Sequence, residues 1–117
     1  MLTLPIKKKW FDMIRSGEKK EEYREIKQYY DVRFMNAFGF IMVGGQIVYG
    51  EAVPEEIRKP WPVPVIFRNG YSKDSPEIIC KCSLSFGYGK QEWGADPEKL
   101  YYVLKIHEVQ EESTCQD

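Results

Sequence analysis

Cysteine and histidine are scarce in this chain, and that scarcity excludes several kinds of chemistry. The three cysteines, Cys80, Cys82 and Cys115, are an odd number with two of them two apart, which does not resemble a disulfide framework. On a strand, Cys80 and Cys82 share one face. A zinc site would need two further ligands, and His107 is the one histidine, so small buried thiols are the better reading and no metal or cofactor is expected. A lone histidine beside an acidic tail reads as structural. No apolar run approaches ~20 residues, so no helical membrane span is expected. Excess charge of one sign is also missing: 17 basic and 18 acidic residues leave a net charge of −1, which argues against coating DNA or RNA by bulk charge. There is no Walker or dinucleotide loop, because Gly87 and Gly89 lack a following helix pattern. The opening Met-Leu-Thr-Leu-Pro-Ile runs at once into three lysines, so no signal peptide and a cytoplasmic location are expected.

What is present fits one globular domain. The chain has 117 residues, 43% of them apolar and 30% charged, enough for a self-sufficient core and too few for two domains. The domain is expected over residues 1–110, with 111–117 as an acidic flexible tail. Aromatics reach 15%, a surplus that either fills a small core or lines a pocket. The basic residues gather in the N-terminal third, from Lys7 to Arg33.

Residues 2–6 read as a short strand, and Pro5 puts it at a sheet edge or near its own end. Lys7–Ser16 has helical spacing, with Trp10, Phe11, Met13 and Ile14 on one side and Gly17 as the stop. Lys19–Glu25 is too polar for a core strand. If it is a strand, Glu22 and Arg24 share one face and Glu21 and Tyr23 the other. Ile26, Tyr29, Tyr30 and Phe34 make a second helical stripe over 26–35. Between 36 and 62 the pattern is faint: Gly44-Gly45 marks a turn, Gln46–Tyr49 is a candidate strand, and four prolines make 54–64 an irregular connection that can serve as a lid. The second half is strand-like. Val63–Arg68 ends at the turn pair Asn69-Gly70; Ile78–Phe86 and Tyr101–Val109 alternate. The sum is an α+β fold: a small β-barrel of about five or six mostly antiparallel strands with two N-terminal helices.

The segment Gly17-Glu18-Lys19-Lys20-Glu21-Glu22-Tyr23-Arg24 concentrates the chemistry. A lysine, a glutamate and an arginine fall close together just past a helix end. Such a cluster binds an anion, polarises a carbonyl, or keeps a lysine partly deprotonated for base work. The plainer alternative is a solvated charged strand whose cross-pairs contribute little.

This segment resembles the Gly-x-Lys-x-x-Glu-x-Arg motif of ASCH domains, with Gly17, Lys19, Glu22 and Arg24 at the defined positions. The flanking strand and Trp/Phe helix are also similar, as are Arg68-Asn69-Gly70-Tyr71, Gly87, Gly89, Trp93-Gly94 and Tyr101–Ile106. The resemblance implies a barrel similar to the PUA domain. It implies a polar cleft lined by Lys19, Glu22 and Arg24, and a role in binding RNA or a nucleotide-like ligand. One branch of the family resembles a small amidohydrolase acting on N4-acetylcytidine through a lysine, a threonine and a downstream glutamate. Lys19 matches the lysine and would be the base. Glu22 stands where the threonine would be, and Glu51, Glu55, Glu56 and Glu92 are all candidates for the glutamate.

Tyr71, Tyr88 and Trp93 lie in or beside turns, where an aromatic either stacks a base or caps the barrel end. The expected ligand-binding set is therefore Lys19, Glu22, Arg24, Tyr71 and Trp93, with Lys19 and Glu22 catalytic in the enzyme reading. A third reading is a protein-interaction module using the apolar stretch Phe38–Val43.

Overall fold

The computed structural model describes the backbone of residues 1–113 and the side chains through Gln110. Strand β1 (Leu2–Pro5) leads into helix α1 (Lys8–Ser16), which stops at Gly17 in the left-handed region with φ 87°. There the Gly17 amide donates to the Ile14 carbonyl, a conformation a Cβ would strain. Strand β2 (Glu21–Arg24) follows, then helix α2 (Gln28–Phe38). A hairpin of β3 (Ile41–Val43) and β4 (Gln46–Val48) turns at Gly44-Gly45. After an irregular stretch come β5 (Val63–Arg68), β6 (Glu77–Tyr88) and β7 (Leu100–Ser113).

The main sheet has the order β1-β5-β6-β7-β2 and curls into a half-barrel, while β3 and β4 form a separate two-stranded sheet. The α+β class with two early helices holds. The five strands of the main sheet, mostly antiparallel, match the expectation; the corrections are that the sheet closes only half a barrel, that β3 and β4 stand apart from it, and that β1 pairs with β5 in parallel. The long connection from β1 to β5 carries both helices, the β3–β4 hairpin and β2, which sits at the far edge of the same sheet, and it is long enough to let β5 return parallel to β1. The other pairings of the sheet are antiparallel.

Helix α2 begins two residues later than its apolar stripe predicts and runs on to Phe38. Ile26, counted in that stripe, is 42% exposed and lies before the helix, whose end is set by Gly39. Strand β7 pairs Ser113 with Glu77, so the expected tail begins inside a strand; residues 114–117 of it lie outside the described residues.

The alternation in β6 is what builds the core. Ile78, Cys80, Cys82 and Leu84 point inward and are buried, as the period of two requires. They meet Val65 and Phe67 of β5, Leu104 of β7, Ile14 of α1, and Phe34 and Phe38 of α2. Phe34 stands edge-on to Tyr102 at 4.9 Å and to Phe38 at 6.1 Å. The Tyr102 hydroxyl donates to Asp31 at 2.5 Å, which pins α2 to β7.

Candidate functional site

The two edge strands of the half-barrel, β1 and β2, share no ladder. They are joined by a side chain. Arg24 of β2 donates through Nη2 to the Pro5 carbonyl at the end of β1, 2.8 Å away. Through Nε and Nη2 it also holds Glu22 Oε2, at 3.0 and 2.7 Å, and through Nη1 it reaches the Tyr30 hydroxyl at 3.2 Å. The alternation of β2 thus sets Glu22 and Arg24 side by side on the inward face. Tyr23 and Glu21 share the other, where the Tyr23 hydroxyl donates to Glu21 at 2.8 Å.

Lys19 completes the group from the turn after α1. Its Nζ lies 3.2 Å from Glu22 Oε1 and donates to the Trp93 carbonyl at 2.6 Å. It also sits over two rings, Tyr23 at 4.9 Å and Trp10 at 5.1 Å from their centroids. Glu22 therefore divides its carboxylate, one oxygen to each cation. The knot carries two cations and one carboxylate, and it is interior: Lys19 is 1% exposed and Glu22 7%. Charges are normally kept in water, because desolvating them offsets most of what their mutual attraction gives. Burial pulls the Lys19 ammonium below the ordinary lysine value, with Glu22 pulling the other way. Arg24 is raised: burial opposes its charge, but Glu22 and the Tyr30 hydroxyl outweigh that.

A strap between β6 and β7 closes over Lys19. It contains a short 3₁₀ turn, Gln91–Trp93, ending at Gly94 with φ 98°. A Cβ on Gly94 would come within 3.0 Å of the Trp10 ring, so the residue lets the backbone lie flat on that indole. Two tyrosines hold the strap's ends. The Lys90 amide donates to the Tyr23 hydroxyl at 3.0 Å, and the Asp96 amide to the Tyr101 hydroxyl at 2.9 Å. The middle is held by the Trp93 carbonyl on Lys19.

Of the expected ligand-binding set, Lys19, Glu22, Arg24 and Trp93 come together, Trp93 through its backbone; its indole lies under the Lys90 ammonium at 4.5 Å. Tyr71 does not join them. It is 90% exposed in the turn between β5 and β6 and takes part in no ring contact among the described residues. Glu92 lies on the strap beside Trp93, whereas Glu51, Glu55 and Glu56 lie in the exposed connection after β4. That connection, expected as a lid, is pinned by Trp61, whose Nε1 donates to the Phe38 carbonyl at 2.7 Å.

Sequence reasoning missed Trp10 and Tyr23 as walls of the site. Trp10 reads as one more residue of an apolar helix stripe, and Tyr23 as facing away from Glu22. It also missed that Ser83 Oγ and His107 Nε2 lie 2.8 Å apart. His107 is the extra residue of a bulge in β7, since Lys81 pairs with Glu108 and Cys82 with Ile106. Cys80 and Cys82 are buried thiols. Burial pushes Cys80 up to about 12, and raises Cys82 further with help from Cys80. No group of residues among those described is arranged to hold a metal ion, and no described helix is long and apolar enough to cross a membrane. Compared with protein-family models, curated proteins and solved structures, the chain matches none.

Proposed function

We propose that the chain is an ASCH-type, PUA-like domain that binds single-stranded RNA or a nucleotide-like ligand at the Lys19–Glu22–Arg24 knot. The observation that carries this reading is a buried lysine and a partly buried arginine sharing one buried carboxylate, an arrangement that adds little stability and is concentrated at functional sites. Its single excess positive charge suits a phosphate or another anionic group. The Trp10 and Tyr23 rings flanking Lys19 are surfaces on which a base stacks. The knot is sealed as it stands, so ligand entry requires the strap to lift and the ligand to replace the Trp93 carbonyl on Lys19. Gly94 and the tyrosine-held ends make the strap the segment to move.

A second reading, a small amidohydrolase acting on an acylated nucleoside, draws on one observation. The lowered Lys19 pKa increases the fraction of free amine, as base work requires. Glu92, carried on the strap, is then the carboxylate nearest in sequence to the Lys19 contact at Trp93.

Amide NMR of labelled protein tests both. Adding a short single-stranded RNA is expected to shift Lys19–Arg24 and Lys90–Gly94 together. Adding N4-acetylcytidine with loss of its acetyl signal would favour the enzyme. If neither compound moves those amides, the nucleic-acid reading fails.

A further inference from the structure

Strand β6 is longer than its neighbour. β5 accompanies it only as far as the pair Val63–Cys82, while β6 continues to Tyr88. Beyond Cys82 the β5 side of β6 meets no strand among the described residues, and the backbone of Ser83–Phe86 bonds only toward β7. Every second residue there leaves its N–H and C=O directed into the gap.

The gap is a walled slot. A cavity of about 340 Å³ runs along this edge, lined on one side by Ser83, Leu84, Ser85 and Phe86, and on the other by the β4 hairpin with Tyr49 and Trp61. The far wall is rigid. Trp61 stacks on Tyr49 at 3.8 Å with an interplanar angle of 1°, stands edge-on to Phe38 at 5.5 Å, and is tied by its Nε1. Among the described residues, no lysine, arginine, aspartate or glutamate lines the slot.

We propose that this slot takes an extended, uncharged peptide segment of a partner protein as an added strand beside Ser83–Phe86, in line with the end of β5. The free main-chain groups of β6 recur at every second residue, about 6.6 Å apart at a strand rise of about 3.3 Å, a repeat that a second extended backbone matches along its length. The absence of charge and the indole–phenol wall select apolar or aromatic side chains at alternate positions of that segment. A nucleoside has the flat face for the wall, but it has no repeating donors and acceptors for a strand edge. The slot shares no lining residue with the Lys19 knot.

The test is selection from a phage-displayed random heptapeptide library on the immobilised protein, followed by hydrogen exchange with a selected synthetic peptide. The expected result is enrichment of uncharged sequences with apolar residues at alternate positions, and at least tenfold slower exchange of alternate amides within Ser83–Phe86. Ser85→Glu adds a charge at an exposed position beside the slot without touching the core, and is expected to weaken the peptide at least tenfold with the spectrum otherwise intact. Four results overturn the proposal: no enriched pattern, binding that leaves those amides unprotected, protection that appears with protein concentration alone, or cytidine shifting Tyr49 and Trp61 where no peptide does. The third would point to a second copy of this chain as the occupant.

Discussion

Beneath α2 the interior is made of rings; beneath the strap it is made of charges. Phe34, Phe38 and Tyr102 pack edge to face with almost no exposure, and the one polar atom among them, the Tyr102 hydroxyl, has Asp31 as its partner. Lys19 and Glu22 are also buried and Arg24 is partly so, yet each depends on named hydrogen bonds to remain there. The ring region gains stability from burial itself and tolerates loss of a contact in proportion to the atoms removed. The charged region gains little from burial and depends on complete pairing. An interior arranged in the second way is weak as a scaffold. It does preorganise charges against a ligand, and this is why the knot and not the ring cluster carries the functional reading.

The sharpest way to break this comparison is to remove one residue from each side. Phe34→Ala leaves a cavity among rings and is expected to cost about 3–5 kcal/mol. Glu22→Ala removes far less apolar surface, but strands both cations, and is expected to cost about as much, again about 3–5 kcal/mol. Urea denaturation of both variants measures this. A loss below about 1 kcal/mol for Glu22→Ala would mean that the knot is open to water in solution and behaves as a surface cluster.

Alkali acts on the buried thiols and on Lys19 with opposite sign. The Cys80 thiol is raised by burial from 9.0 to about 12. The folded state therefore holds its proton through a window in which the unfolded state has released it. The stability linked to Cys80 is complete below pH 9.0 and is lost as pH rises toward about 12. Cys82, raised as well, acts in the same direction. Lys19 acts oppositely: its folded pKa lies below 10.5, so the penalty for burying its charge is relieved as pH rises through that window. Wild type is expected to lose stability steadily above pH 9.0, and the double variant Cys80→Ala/Cys82→Ala to show a flatter profile between pH 9.0 and 10.0, above which the Tyr23 and Tyr102 hydroxyls, both raised by burial from 10.0, lower stability in either protein. Equal slopes in the two proteins would show that the thiols are hydrated in solution.

The sheet core and Phe34 were legible in the sequence, whereas Phe38, read as part of an apolar stretch past the helix, was not. The inward set of β6 follows from the alternation of Ile78, Cys80, Cys82 and Leu84, and the end of β5 from Asn69-Gly70, but β6 continues to pair through Gly87 to Tyr88, where the glycine reads as a break. The knot was legible in membership but not in environment. Alternation put Glu22 and Arg24 on one face, but nothing local to β2 reveals that α1 and the strap would close over Lys19 from residues 10 and 93. The parallel place of β1 was hidden for the same reason, since it is set by a crossover spanning half the chain. The stretch 36–62 read faintly because its order depends on single long-range contacts, such as Trp61 to Phe38, with no periodic pattern to announce them.

Lys19→Met sharpens the comparison within the knot. Glu22 keeps Arg24, so the remaining pair is neutral as a whole. Glu22 Oε1 and the Trp93 carbonyl lose a donor, while one desolvated charge disappears. The balance is expected to cost about 1–2 kcal/mol, well under Glu22→Ala. RNA binding at the knot is expected to vanish in the same variant. Stability near wild type with binding unchanged would make Lys19 a packing residue and remove the functional reading.

The smallest effect belongs to Tyr71, which sequence reasoning placed with the knot and the fold leaves in a turn. At 90% exposure its ring contributes almost nothing to packing, so Tyr71→Ala is expected to change stability by less than about 0.5 kcal/mol. The informative readout is binding. The β5–β6 turn is anchored by Asn69, whose Nδ2 donates to the Ile6 carbonyl at 3.1 Å just past β1, and Pro5, the residue before Ile6, accepts from Arg24. A long RNA leaving the knot along that seam would pass the turn, whereas a mononucleotide held at Lys19 would not. Tyr71→Ala is accordingly expected to leave the affinity for a single nucleotide unchanged. For an oligonucleotide, the loss of one stacking ring would weaken binding by about 1–3 kcal/mol if the strand follows that seam. An oligonucleotide affinity equal to wild type would confine recognition to the charges beneath the strap.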